Sequence, residues 1–228
     1  MTTRSRSIES IVEEQGRRWG LRRVEPRESR RPVIALSRQY GAGGEELARR
    51  LADALSLDLF DREILHQIAE SAHLREEAVG LLDERERSVI EEWLSPFSGA
   101  DNLTHYEYLH HLILIVSGIS RRGGAVLVGR GAHLLVRAGE ALRVLVVAPL
   151  DARVGAVAAA EAIDARDARG RIAAVEAERG AFLKKYFRAK PDDPEQFDLV
   201  VNTNALGMEG SLEAVRGAFL ALPAPTSS

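Results

Sequence analysis

The feature that most constrains this chain is an apolar run at residues 33–36 that leads into a glycine-rich turn and then a helix. Gly41, Gly43 and Gly44 supply the turn, and Leu47, Ala48, Leu51, Ala54 and Leu55 recur at helical spacing behind it. A strand, turn and helix in that order aim backbone N–H groups and the positive helix end at one point, which suits a phosphate. The same glycines also satisfy a purely steric need, a tight turn with close helix packing.

Three more apolar runs, at 125–128, 143–147 and 199–201, read as strands buried on both faces, and a short extended piece at 57–60 adds another. Helical patterns separate them: segments through Leu65 and Ile68 and through Leu81 and Leu82, a long apolar helix near 106–120, an arginine-rich stretch at 151–190 and a last helix near 212–222. A polar break at 95–102 interrupts the helical region. Strands joined by helices imply parallel pairing, so the expected fold is α/β, a central parallel sheet of about five strands flanked by helices.

Composition narrows the function classes. Residues 1–31 carry nine arginines against five glutamates, about +4, and the remainder of the chain is about −7. That basic arm holds Ile8, Ile11, Val12, Gln15 and Trp19 on one helical face, a short amphipathic helix that ends before Pro26 and Pro32. With a net charge of −3, the whole chain has no electrostatic signature of nucleic-acid binding. The absence of cysteine excludes disulfides and thiolate chemistry and suits a cytoplasmic location. No apolar run reaches the roughly 18 residues of a membrane span. The scattered histidines, His105, His110 and His111 included, have no metal-ligand spacing, so the metal ligands stay unknown.

Against the phosphate-loop pattern of Gly, four residues, Gly, Lys and Ser or Thr, Arg38 stands at the first glycine and Gly43 at the second. Gly44 stands where lysine is expected and Glu45 where the hydroxyl is expected. A dinucleotide-binding reading, with Asp61 as ribose acid, is disfavoured because Glu46 occupies the third glycine position.

Taken together, IALSRQYGAGG at 34–44, FDREIL at 60–65, VGRGA at 128–132, VAPL at 147–150 and FDLVVNT at 197–203 resemble the cytidylate kinase-like family over about residues 33–222. The resemblance implies a three-layer P-loop NTPase fold, ATP with Mg2+ as donor and a nucleoside monophosphate as acceptor, CMP or dCMP being the first to try. It divides the chain into the arm at 1–31, a kinase-like domain at 32–222 and a disordered tail at 223–228. Within the domain it implies a helical acceptor-binding insert at about 61–122 and a lid at about 151–190.

The implied nucleotide site comprises Ser37, Arg38, Gln39, Tyr40, Gly41, Ala42, Gly43, Gly44, Glu45 and Glu46. Asp61, Arg62 and Arg130 are the implied acceptor residues, and Arg153, Arg171 and Arg179 the lid arginines, with Arg38 and Arg179 cast as catalytic. An exposed, salt-bridged face is an equally simple account of the lid arginines, and a surface ion pair of Arg62 or Arg130. The loop's missing lysine keeps a second function open, a nucleotide-binding or regulatory protein that keeps the fold without transferring phosphate. Nucleotides are the expected partners, with no nucleic acid or membrane, and the arm or the apolar helix near 106–120 is a surface for a homodimer.

Overall fold

The computed structural model describes residues 32–63, 65, 82, 84, 88, 103–137 and 139–222. The expected arm helix, the tail, the polar break at 95–102 and most of the helical segments around 64–94 lie outside the described residues. In chain order the elements are β1 (Val33–Arg38), α1 (Gly44–Leu55), β2 (Asp58–Phe60), α2 (Leu103–Arg122), β3 (Ala125–Val128) and the single-turn α3 (Ala132–Leu135). They continue with β4 (Ala141–Val147), α4 (Leu150–Glu161), α5 (Ala165–Phe187), β5 (Leu199–Asn202) and α6 (Thr203–Leu220).

The strands form one sheet in the order β2-β3-β1-β4-β5, and every neighbouring pair is parallel. Alternate residues along a strand face opposite sides, so the inner strands serve two cores. Val33, Ala35, Ala125 and Leu127 meet Leu112, Ile115, Val116 and Ile119 of α2 on one face. Ile34, Leu36, Val126, Val128, Val144 and Val146 meet Leu47 and Leu51 of α1 and Leu212, Val215 and Phe219 of α6 on the other. The result is three layers. The apolar side chains of α2, anticipated as a dimer surface, are thus largely covered by the chain's own sheet.

Burial on both faces holds for β3 throughout and for β1 from Val33 to Leu36, but not for β5, whose Val200 is 45% exposed. β5 is an edge strand, an arrangement that a short run of Leu-Val-Val does not reveal. The helical stretch at 151–190 divides at Ala162, which takes a left-handed φ of 54°. Asp164 then caps α5 by accepting from the Asp167 N–H. α6 begins well before residue 212 because the Asn202 side chain accepts from the N–H groups of Asn204 and Ala205, so strand passes into helix without a loop. Gly207, at φ 66° and ψ 175°, breaks that helix after its first turn.

Two side chains of the segment before β5 lock the sheet's exit. Asp198 accepts from the Arg143 backbone N–H at 2.8 Å, from Nε at 3.0 Å and from a terminal nitrogen at 2.6 Å. Phe197 stacks on His133, ring centroids 4.7 Å apart, and His133 is 3% exposed. Burial, opposed by a contact with Gln196 and reinforced by the Arg143 charge, pushes the imidazole down to about 4. Because the folded value lies below the unfolded value of 6.5, the folded state resists protonation there. Stability present above pH 6.5 is lost as pH falls towards 4, at most about 3 kcal/mol. His133→Phe, which keeps the ring stack, should flatten that part of the profile when denaturant midpoints are measured between pH 7 and pH 4.5.

Candidate functional site

The glycine turn connects the C-terminal end of β1 to α1, and Gly41 and Gly43 both adopt left-handed φ, 82° and 74°. A Cβ on Gly41 would lie 2.9 Å from both the Arg153 carbonyl oxygen and Val157 Cγ2, so no larger residue fits. Its backbone carbonyls are held from outside. Thr203 Oγ1 donates to Ala42 O at 2.8 Å, Arg153 Nη1 to Tyr40 O at 3.2 Å, and Arg179 Nη1 to Arg38 O at 3.0 Å. Gln39 receives the Ala148 N–H on its Oε1 at 3.2 Å, and its own backbone N–H donates to Val146 O at 2.9 Å. The turn is thereby held in shape before any ligand arrives, the condition under which backbone donors act without reorganisation cost.

Arg38 runs across this turn instead of out into solvent. Its stem covers Gly44, where a Cβ would come within 2.5 Å of Arg38 Cβ and 2.7 Å of Cγ. Its Nη1 reaches over Gly129, whose added Cβ would lie 2.7 Å away. The side chain is only 7% exposed, and both Nε and Nη2 stand 2.8 Å from Glu45 Oε1. Arg179 Nη2 approaches the same oxygen at 3.7 Å, and its guanidinium carbon sits 5.5 Å from the Tyr40 ring centroid. Burial, and then repulsion from Arg38, pushes Arg179 down to about 10, with Glu45 opposing. Burial would raise the Glu45 carboxyl, but the charge and hydrogen bond of Arg38, with the charge of Arg179, hold it below its ordinary value.

A cleft of about 730 Å3, its open mouth included, lies beside the turn. Ser37, Arg38, Arg62, Arg130 and Arg179 line it together with Glu178 and Asp192. Four arginines against two acids make it a place for an anion. It sits at the C-terminal ends of β1 and β3, where open α/β sheets take their ligands. Gly129, Arg130 and Gly131 follow one another with φ of 79°, 52° and 71°. Arg130 is therefore a non-glycine residue held in the left-handed region, a conformation that persists only where surrounding packing enforces it. Its guanidinium carbon lies 5.5 Å from the Phe182 ring centroid and 5.8 Å from that of Tyr108. Its buried Nε makes no hydrogen bond to the described residues.

The other expected residues fall in different places. Arg62 lines the cleft and lies 3.5 Å from Glu178. Asp61 accepts from the Glu63 N–H at 2.9 Å, closing the turn that carries Arg62, and does not itself line the cleft. Glu46 faces outward to Arg49 and Arg50. Of the three arginines expected in the lid, only Arg179 lines the cleft. Arg153 is an internal brace, bonded to Ala148 O, Tyr40 O and Glu176. Arg171 is 54% exposed and pairs with Glu161 at 3.7 Å, beside the Tyr40 hydroxyl that donates to the same carboxylate. Glu178 and Asp192 have no site role in the sequence reading, and Gly129 and Thr203 enter it only within the VGRGA and FDLVVNT motifs, because each reaches the site through a contact distant in sequence.

The turn and the arginines fit a polyphosphate: backbone donors at a helix start, a buried cation, and two cleft arginines, Arg130 and Arg179, whose buried Nε atoms lack hydrogen bonds among the described residues. They do not offer a magnesium ion a protein cage. Among the described residues no group of three His, Asp or Glu side chains is placed to hold a metal ion. An ion brought with a nucleotide would take phosphate oxygens and waters as ligands.

Residues 33–205 match the cytidylate kinase-like family. The cytidylate kinase of Staphylothermus marinus is 27% identical over 185 residues, which is 81% of this chain and 94% of that protein. An uncharacterized protein from Eubacterium ventriosum has the same fold, with a TM-score of 0.58 at 16% identity over 83% of this chain and 99% of that one. A shikimate kinase from Bacteroides thetaiotaomicron aligns with a TM-score of 0.44 at 15% identity, over 83% of this chain and 98% of that one. With a five-stranded parallel sheet between helical layers, a glycine turn after β1 and a family match across three quarters of its length, the chain has a three-layer α/β fold and belongs to the cytidylate kinase-like family.

Proposed function

We propose that this protein is a phosphotransferase that moves the γ-phosphoryl group of ATP to a nucleoside monophosphate, with CMP or dCMP as the first acceptor. The observation that carries the reading is the convergence of Arg38, Arg62, Arg130 and Arg179 on one cleft beside the glycine turn. Two polyanions must be brought together for such a transfer, and arginine's planar fork suits phosphate oxygens. ATP with Mg2+ supplies the transferable phosphoryl group. Backbone N–H groups of residues 41–46, apart from that of Ala42, which donates to Gln39 O, and the guanidinium of Arg38 hold the donor phosphates. Arg62 and Arg130 hold the acceptor phosphate, and Arg179, placed between the turn and the cleft, neutralises charge spreading over the transferred group. Phe182 gives the cleft an apolar wall that limits water.

An ADP-release assay with Mg2+ across the nucleoside monophosphates tests this. CMP or dCMP should raise turnover well above the rate with ATP alone. If no acceptor does so, the transferase reading fails.

A second reading, a nucleotide-binding protein without transfer, is favoured by Gly44 in the lysine position and by Glu45 already engaging Arg38. It expects a melting-temperature rise with ATP or a monophosphate, by mass action, and no ADP release.

A further inference from the structure

We propose that Glu45 is an internal stand-in for a donor phosphate oxygen and that it sets which anions the turn accepts: ligands with several linked phosphates displace it, and a single phosphate does not. The inference deepens the proposed function and rests on its placement of the donor phosphates at the glycine turn.

The two partners of the Arg38–Glu45 ion pair differ in freedom. Arg38 is fixed, because its stem lies on Gly44, its guanidinium lies over Gly129 and its side chain is 7% exposed. Glu45 is 52% exposed and stands in the first turn of α1, with solvent beside it. When a fixed cation is paired with a carboxylate that can turn away, the carboxylate is the partner that yields. Glu45 Oε1 takes both Nε and Nη2 of Arg38 and has Arg179 Nη2 at 3.7 Å, the way a phosphate oxygen sits between guanidinium groups.

Glu45 stands where a phosphate loop ordinarily carries a hydroxyl, in the first turn of the helix that follows the glycines, and its carboxylate lies against Arg38 and Arg179. An incoming anion meets a negative charge there, and it binds only if its own contacts exceed those that Glu45 gives up. A chain of phosphates reaches the backbone donors, Arg38 and Arg179 together. Orthophosphate reaches only part of that set.

Calorimetric titration of the full chain with sodium tripolyphosphate and with orthophosphate, without metal, tests this. Glu45→Gln keeps the shape and removes the charge. It should bind tripolyphosphate about tenfold more tightly, gain more for orthophosphate, and so lose selectivity between the two. Glu45→Asp, one methylene shorter, should change in the same direction and serves if the glutamine variant folds poorly. Weaker or unchanged tripolyphosphate binding in both variants overturns the proposal, because Glu45 would then merely position Arg38. Absence of tripolyphosphate binding to the wild-type chain and to both variants overturns it as well. Tighter binding in the variants without ADP release from any acceptor leaves this inference standing while the transferase reading falls. ADP release with unaltered anion binding does the reverse.

Discussion

Arg38→Ala should lower kcat/KM for phosphoryl transfer, and weaken ATP binding, by about 100- to 1,000-fold, the loss typical of removing one preorganised donor to a developing charge. Arg38 is a buried cation at the glycine turn, held across Gly44 and Gly129. A lysine at residue 44 is impossible while Arg38 lies across the turn, since even a Cβ there would come within 2.5 Å of the arginine stem. The glycine and the arginine are therefore sterically coupled: the cation proposed for the donor phosphates stands at the end of β1, and position 44 has to stay bare beneath it. Arg38→Lys should recover only part of the loss, because an ammonium cannot offer two parallel N–H groups. Arg166→Ala, at an exposed position on α5, should stay within about twofold. Equal effects of Arg38→Ala and Arg166→Ala, by steady-state kinetics and calorimetry, would remove Arg38 from the site.

Gly131→Ala should destabilise the fold by roughly 2 to 4 kcal/mol, a melting-temperature drop of about 5 to 15 °C. Two costs combine. At φ of 71° an alanine incurs the left-handed penalty of about 1 to 2 kcal/mol. Its Cβ would also lie 2.6 Å from the Phe187 ring, which packs the end of α5 against the exit of β3. Gly139→Ala separates the two. It shares a left-handed φ of 84° but meets nothing within 4 Å, so it should show the conformational cost alone. Calorimetric melting of both variants is the check. Displacing Phe187 also disturbs the helix that carries Arg179, so Gly131→Ala should lower kcat at temperatures where it remains folded.

Much of the architecture could be read from local pattern. Buried parallel strands must be apolar on both faces, so runs such as Val33–Leu36 and Ala125–Val128 announced themselves, and the spacing of Leu47, Ala48 and Leu51 marked the face of α1 that packs on them. The edge position of β5 was not legible, because exposure of Val200 depends on which strand fails to arrive beside it. The α4–α5 stretch showed a similar limit. Composition placed many arginines there, but their fates diverge: Arg153 braces the turn from beneath, Arg171 pairs with Glu161, and Arg179 reaches the cleft. A helix rotates about 100° per residue, so which arginine faces inward depends on how the helix docks.

The sequence by itself determined that a glycine turn follows β1, that no lysine stands in it and that arginines must meet any phosphate. Only the tertiary structure decided which of the lid arginines reaches the cleft, and with what counter-charge each arginine stands. Arg38, Glu45, Gly129 and Arg179 come from four separate segments, and their encounter is set by the β2-β3-β1-β4-β5 strand order and the docking of α5. Charge acts through distance, which a sequence specifies only for near neighbours on one element.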